Sequence, residues 1–354
     1  MDLMNVLVTG HEGYIGCVLV PMLQARGHDV TGLDSGLYSE CVLGPEPAPV
    51  RSLRIDVRDV EPEMLAGFDA VIHLAAISND PVGDLNRDCT IDINYRASVR
   101  LAEAAKAAGV SRFLFSSSCS LYGAGGTDLL DEGAGFNPVT PYGESKILAE
   151  QAIARLASET FSPTFLRNAT AYGFSPRLRG DLVVNNLVGY ALTTGEVLLK
   201  SDGTPWRPLV HIEDIGRAFI AALEAPREMV HGRAFNVGRT TENYRIREVA
   251  EIVESVVPGS SIRFSATAGP DIRNYRVNCD RILQTLPGFE PQWTVRQGVG
   301  ELYDAYRAHG LTIEDLEGSR LQRIARVKQL QADGVLDASL RRADIPVASG
   351  AATL

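Results

Sequence analysis

The run "VLVTGHEGYIG" (Val6 to Gly16) constrains this chain more than any other stretch. A short β-branched segment breaks into a turn carrying Gly10, Gly13 and Gly16, and an apolar, helix-periodic segment follows to Gln24. A buried strand that turns so abruptly into a helix needs residues without a Cβ, because the two backbones approach closely there. The alternation then repeats. "DVTGLD", "LRID", "AVIHLAA" and "RFLFSSS" read as short buried strands, and Ile93 to Ala108 reads as a helix. Parallel strands joined by helical crossovers predict an α/β fold: a doubly wound parallel sheet covered on both faces, with a smaller α/β lobe in the C-terminal half.

In such a Rossmann-type arrangement the glycines let backbone approach a pyrophosphate, and the helix N-terminus faces the anion. Tyr14 and Ile15 belong to the same turn. Asp34 closes the second strand, where a carboxylate accepts ribose hydroxyls and repels a 2′-phosphate, favouring NAD over NADP; the alternative is a turn cap before Ser35 and Gly36. Asp56 and Val57 end the third strand, where an aspartate either meets the adenine amino group or closes a turn. Leu74, Ala75 and Ala76 end the fourth, where the two small alanines leave room for a cofactor or pack tightly on a helix.

The chemical residues come later. "SSSCSLYG" (Ser116 to Gly123) ends one strand, and "PYGESK" (Pro141 to Lys146) opens a helix. Tyr142 and Lys146 are one helical turn apart and share a face. An ammonium beside a phenol favours the phenolate, and moving a tyrosine from about pH 10 to about 7 needs roughly 4 kcal/mol. Ser118 ends a parallel strand on the side where open α/β sheets bind ligands, where its hydroxyl either bonds the oxygen that Tyr142 deprotonates or satisfies loop backbone.

Composition excludes other classes. The 354 residues are 45% hydrophobic and 22% charged, enough for one large core and a second lobe. A net charge of −10 without a Lys/Arg stripe argues against nucleic acid. No basic leader or apolar run of about 20 residues is present, so the expectation is a cytoplasmic protein with no membrane partner. Five scattered cysteines and six histidines without ligand spacing point to reduced thiols and no metal. After "PTFLRNATAYG", read as one buried strand, the pattern becomes irregular and returns with "RAFNVG" and a helix near Arg247 to Val256. The expected division is a cofactor domain over 1–175 with 208–240 returning to it, a substrate lobe over 176–310, and a helical extension over 311–354 ending in about ten disordered residues.

Together, "TGHEGYIG", Asp34, "IDVRD", "HLAA", Asn94 in "DINYRAS", "SSSCSLYG", "PYGESK" and "GTPWRPLVHIEDI" resemble the extended short-chain dehydrogenase/reductases, and within them the NAD-dependent nucleotide-sugar epimerases and dehydratases, from Met4 to about Arg307. The resemblance implies Ser118, Tyr142 and Lys146 as the catalytic set, with Lys146 also holding the nicotinamide ribose and Asn94 beside the cofactor as a structural or relay residue. It further implies a nucleotide-diphosphate sugar as substrate and a homodimer as the assembly. Ser78, Ser118 and Thr170 would touch the sugar end; Asn185, Asn186, Arg207 and Arg273 would serve the diphosphate. This chain departs from the pattern in three places. Cys119 and Ser120 stand where sugar 4,6-dehydratases carry an acidic pair, and Cys119 sits one residue before the position that C3 and C5 epimerases give to a cysteine. Thr170 stands where many relatives place an asparagine, and the segment before "GPDIRNY" lacks a usual arginine. The resulting expectation is epimerisation at C4 through a 4-keto sugar. The alternatives are a C3/C5 epimerase, dehydratase or reductase with Cys119 or Ser120 as acid/base, or a non-catalytic NAD-binding regulator.

Overall fold

The structure, a computed structural model, describes residues 3–78, 80–126, 128–269 and 273–345, with backbone only for 266–269. The tail expected to be disordered lies outside the described residues. Strands β1 (Asn5–Thr9), β2 (Asp29–Asp34), β3 (Ser52–Arg54), β4 (Ala70–His73) and β5 (Arg112–Ser118) come first. They are followed by β6 (Leu129–Leu130), β7 (Ser162–Asn168), β8 (Thr170–Tyr172), β9 (Glu196–Ser201), β10 (Trp206–His211), β11 (Ala234–Val237), β12 (Asn243–Arg245), β13 (Ser261–Gly269) and β14 (Arg276–Val277). Seven parallel strands form the main sheet in the order β11-β7-β5-β4-β1-β2-β3. The order reverses beside β1, which pairs Val6 with Val30 on one side and with Ala70 on the other. Strand ends diverge at such a point and open a crevice.

Burial on both faces explains the unbroken apolar runs. Val6 and Val8 pack with Leu19, Leu23, Ile215 and Phe219 on one side of the sheet. Leu7 turns the other way, toward Val71, Phe113, Leu101 and Ile153. The predicted helix from Ile93 begins with a π-helical turn over Asp92–Arg96 before the α-helix Ala97–Ala107.

The run "PTFLRNATAYG" is two strands rather than one. β7 lies between β5 and β11, whereas β8 leaves the main sheet at Ala169 and pairs with β10 in a three-stranded sheet ordered β12-β10-β8. An apolar run records burial, not the partner of each half. β8 and β10, with β9, β13 and the helices Val183–Thr194, Ile246–Val256 and Val295–Ala308, enclose a second core around Leu187, Val253, Leu302 and Tyr306. The extension does not trail away. Its helix Arg323–Ala332 and the turn after it pack Val327, Leu330, Leu336 and Leu340 against Ile77, Val82 and Cys89 at the edge of the main sheet. No helix among the described residues is long and apolar enough to cross a membrane.

Candidate active site

A cleft of about 920 Å³ runs over the C-terminal ends of the central strands and against the second lobe. At one end Gly10 has φ +73°, and a Cβ there would stand 2.7 Å from the Ala75 nitrogen. A Cβ on Gly16 would stand 2.5 Å from the Gly10 carbonyl oxygen. Both positions therefore demand glycine, and the turn leaves Gly13, Tyr14 and Ile15 facing the cleft across from Leu74, Ala75 and Ala76. The Asp34 carboxylate accepts from the backbone of Gly36 at 2.7 Å and of Glu12 at 3.1 Å. Burial raises its pKa despite those bonds. Asp56 also lines the cleft with Val57, but Arg58 grips it at 2.9 and 2.6 Å. Burial raises the Asp56 pKa, and the Arg58 hydrogen bonds and charge outweigh that and hold it below the usual range.

At the other end Thr140 caps the helix Pro141–Ala154 by accepting from the Gly143 amide at 3.2 Å, with Pro141 at the first helical position. That start places Tyr142 and Lys146 against the ends of β5. Lys146 is buried, donates to the Ser116 carbonyl at 2.7 Å and lies 5.8 Å from the Tyr142 ring centroid. Ser118 Oγ donates to Ser120 Oγ at 3.0 Å and accepts from the Ser120 amide at 3.1 Å, on the cleft wall it shares with Tyr142. The expected pull of the lysine on the phenol is not what governs this pair. Burial pushes Tyr142 up to about 12 and Lys146 down to about 7, because each loses the water that would solvate its charge.

Three of the candidate residues lie off the cleft, and for Cys119 that accords with the alternative of a small buried hydrophobe on the opposite face. Asn94 is fully buried; it accepts from the Ile77 amide at 2.8 Å and donates to the Ile77 carbonyl at 2.9 Å and Ser145 Oγ at 3.1 Å, so it ties a loop to the Tyr142 helix from behind the cleft wall. Asn185 is likewise internal, bonded to the Gly173 amide at 3.1 Å, whereas its neighbour Asn186 faces the cleft. Adjacent helical residues point about 100° apart, and here Asn185 turns into the interior while Asn186 meets the cleft. Cys119 opens a 3-10 turn (Cys119–Tyr122) just past β5 and points away from the cleft, its thiol donating to the Arg167 carbonyl at 3.1 Å among Tyr275, Val277 and Cys279. Burial pushes that thiol far above its ordinary range. Ser120 does line the cleft.

Ser78, Thr170, Arg207 and Arg273 line the remaining walls. Arg273 pairs with Asp80 at 2.7 Å, and Arg207 donates to the Arg273 and Trp206 carbonyls. Arg179, which motif reading passed over, lies between them and Tyr142; it holds Asp181 at 3.0 and 2.8 Å and reaches Ser78 Oγ at 3.2 Å. Its only trace in the sequence is the basic and acidic alternation of "RLRGD". Asn168, at the end of β7 and on the cleft wall, keeps a buried Oδ1 with no partner among the described residues. Such an orphan acceptor suits an amide or hydroxyl of a bound group. With the glycine cradle and Asp34, it fits a dinucleotide.

A dinucleotide lying from that cradle toward Ser118 would bring its far end to the Tyr142 phenol, an arrangement that fits a dinucleotide-dependent enzyme of the doubly wound class. The chain belongs to the NAD dependent epimerase/dehydratase family, whose profile matches residues 6–238. It is 32% identical over 270 residues to a UDP-glucose 4-epimerase of Corynebacterium glutamicum, covering 72% of this chain and 80% of that protein. Over 315 residues it is 30% identical to a UDP-glucose 4-epimerase of Mycolicibacterium smegmatis, covering 86% and 99%. The solved structure of MoeE5 in complex with UDP-glucuronic acid and NAD is similar with a TM-score of 0.75 and 27% identity, over 86% of this chain and 99% of that one. The enzyme is NAD-dependent.

Proposed function

We propose that the enzyme inverts C4 of a nucleotide-diphosphate sugar through a transient 4-keto sugar, with no net redox change. The observation that carries this reading is the chemical end of the cleft: Ser118, Tyr142 and Lys146 face it, Ser120 and Thr170 add only hydroxyls, and Cys119 is turned away. NAD, when bound, supplies the hydride acceptor and donor, and the positive charge of its oxidised ring opposes the burial that raises Tyr142. Tyr142 takes the proton from the C4 hydroxyl and later returns it. Ser118, on the same cleft wall as Tyr142, holds the sugar oxygen in line with the phenol. Lys146 steadies the pair from its bond to the Ser116 carbonyl. Asn186, Arg207 and Arg273 have the polarity to anchor a diphosphate, which leaves the sugar beyond it free to turn its other face to the same groups.

Elimination, or epimerisation at C3 or C5, needs a further acid or base. Asp80 and Asp181, which line the cleft with Tyr142, are instead held in ion pairs by Arg273 and Arg179. The UDP-glucose named for the relatives makes UDP-hexoses the first substrates to try. A panel of UDP-, dTDP-, GDP- and CDP-sugars in deuterated water, followed by NMR and mass spectrometry, tests the reading. Inversion at C4 without deuterium uptake supports it; deuterium at C3 or C5, or loss of water, contradicts it.

A further inference from the structure

Arg323 opens the helix Arg323–Ala332 of the C-terminal extension; it is only 3% exposed, and it lines the cofactor cleft. One Nη donates to the Arg177 carbonyl at 2.9 Å, and the guanidinium lies 4.4 Å from the Tyr38 ring centroid. The other Nη is buried without a partner, and among the described residues no carboxylate pairs with Arg323. Burying a guanidinium is costly unless an anion answers it, and arginine does not shed its charge at neutral pH. The surroundings say which anion. Tyr38 lies four residues beyond the end of β2, and both Tyr38 and Arg323 line the cleft with Gly13 and Gly16 of the glycine turn, where a pyrophosphate is expected. Arg207 and Arg273 stand by contrast with the second lobe.

The same extension continues over the neighbouring wall. The Ser339 carbonyl accepts from Arg58 at 2.8 Å, Arg341 pairs with Asp59 at 2.7 Å, and Arg342 donates to the Gly36 carbonyl at 3.2 Å. Leu340, held at φ 57°, lines the cleft between them. Arg58 in turn grips Asp56, so these contacts converge on the end of the cleft expected to take the adenosine.

We infer that the C-terminal extension completes the NAD site, with Arg323 as the cationic partner of the dinucleotide pyrophosphate and residues 339–342 as the wall of the adenosine end. Isothermal titration of the full-length protein and of Arg323→Met with NAD, ADP, adenosine and UDP tests this without reference to the reaction catalysed. Arg323→Met is expected to weaken NAD and ADP roughly tenfold or more, to leave adenosine and UDP within about twofold, and to leave the ligand-free melting temperature undiminished, since a buried unpaired cation has been removed. Arg323→Lys should recover part of the loss. Unchanged NAD affinity overturns the inference. So does a loss confined to UDP, which assigns the arginine to the substrate diphosphate, and so does a lowered melting temperature with uniform loss of all four ligands, which makes it structural only.

Discussion

Tyr142 and Lys146 are neighbours on one helix face, yet burial drives their proton affinities apart, up to about 12 and down to about 7. A phenol in that position is a poor base until positive charge enters the cleft, so proton transfer is coupled to the oxidised cofactor. Tyr142→Phe should lower kcat by about 10²- to 10⁴-fold with KM changed only a few-fold, in steady-state assays on the substrate found by the panel. Cys119→Ala should leave kcat within about twofold, because that thiol faces the interior and donates to the Arg167 carbonyl. The Tyr142 and Lys146 pairing was legible from sequence because four residues along a helix set the geometry locally. Asn185 and Asn186 were not separable in that way, since which of two adjacent residues faces the cleft depends on how the second lobe docks. Arg323 was out of reach altogether: its partners, Tyr38 and Arg177, lie far away in the chain.

At the scale of elements, the strand and helix alternation of the first half was readable because each unit buries an apolar face with its own period. The break between β7 and β8 was not, because both halves are buried and only pairing distinguishes them. The helix Pro141–Ala154 is tied to the sheet by a buried polar network. Ser117 donates to Glu150 at 2.8 Å, Arg167 Nε donates to Glu150 at 3.1 Å, and Arg167 also donates to the Tyr122 hydroxyl at 3.0 Å. Glu150→Ala strands Arg167 in the interior and should cost about 3–5 kcal/mol in urea unfolding, with the Tyr142 helix loosened from β5. Substituting both partners with apolar residues of similar volume should recover much of that loss.

Over the whole molecule, the central sheet carries its own pH sensitivity. His73 ends β4 fully buried, bonded to Thr9 Oγ1 at 2.6 Å and Ser98 Oγ at 2.8 Å, and burial pushes its pKa down to about 3. Between about pH 6.5 and 3 the unfolded chain therefore binds a proton that the native chain refuses, and stability falls as pH falls, by up to about 1.4 kcal/mol per unit. Chemical unfolding of His73→Gln across that window should show a shallower acid slope than the parent. The two lobes and the extension enclose one cleft between them, so cofactor, substrate and C-terminus are bound to a common framework. The claim that organises this account is that one hydride leaves C4 and returns to it inside that cleft. The most direct measurement is to supply the sugar nucleotide labelled with deuterium at C4, in ordinary water, and follow the label by NMR. Retention of deuterium at C4 in both epimers is the predicted result, and its loss to solvent or transfer to another carbon would contradict the account.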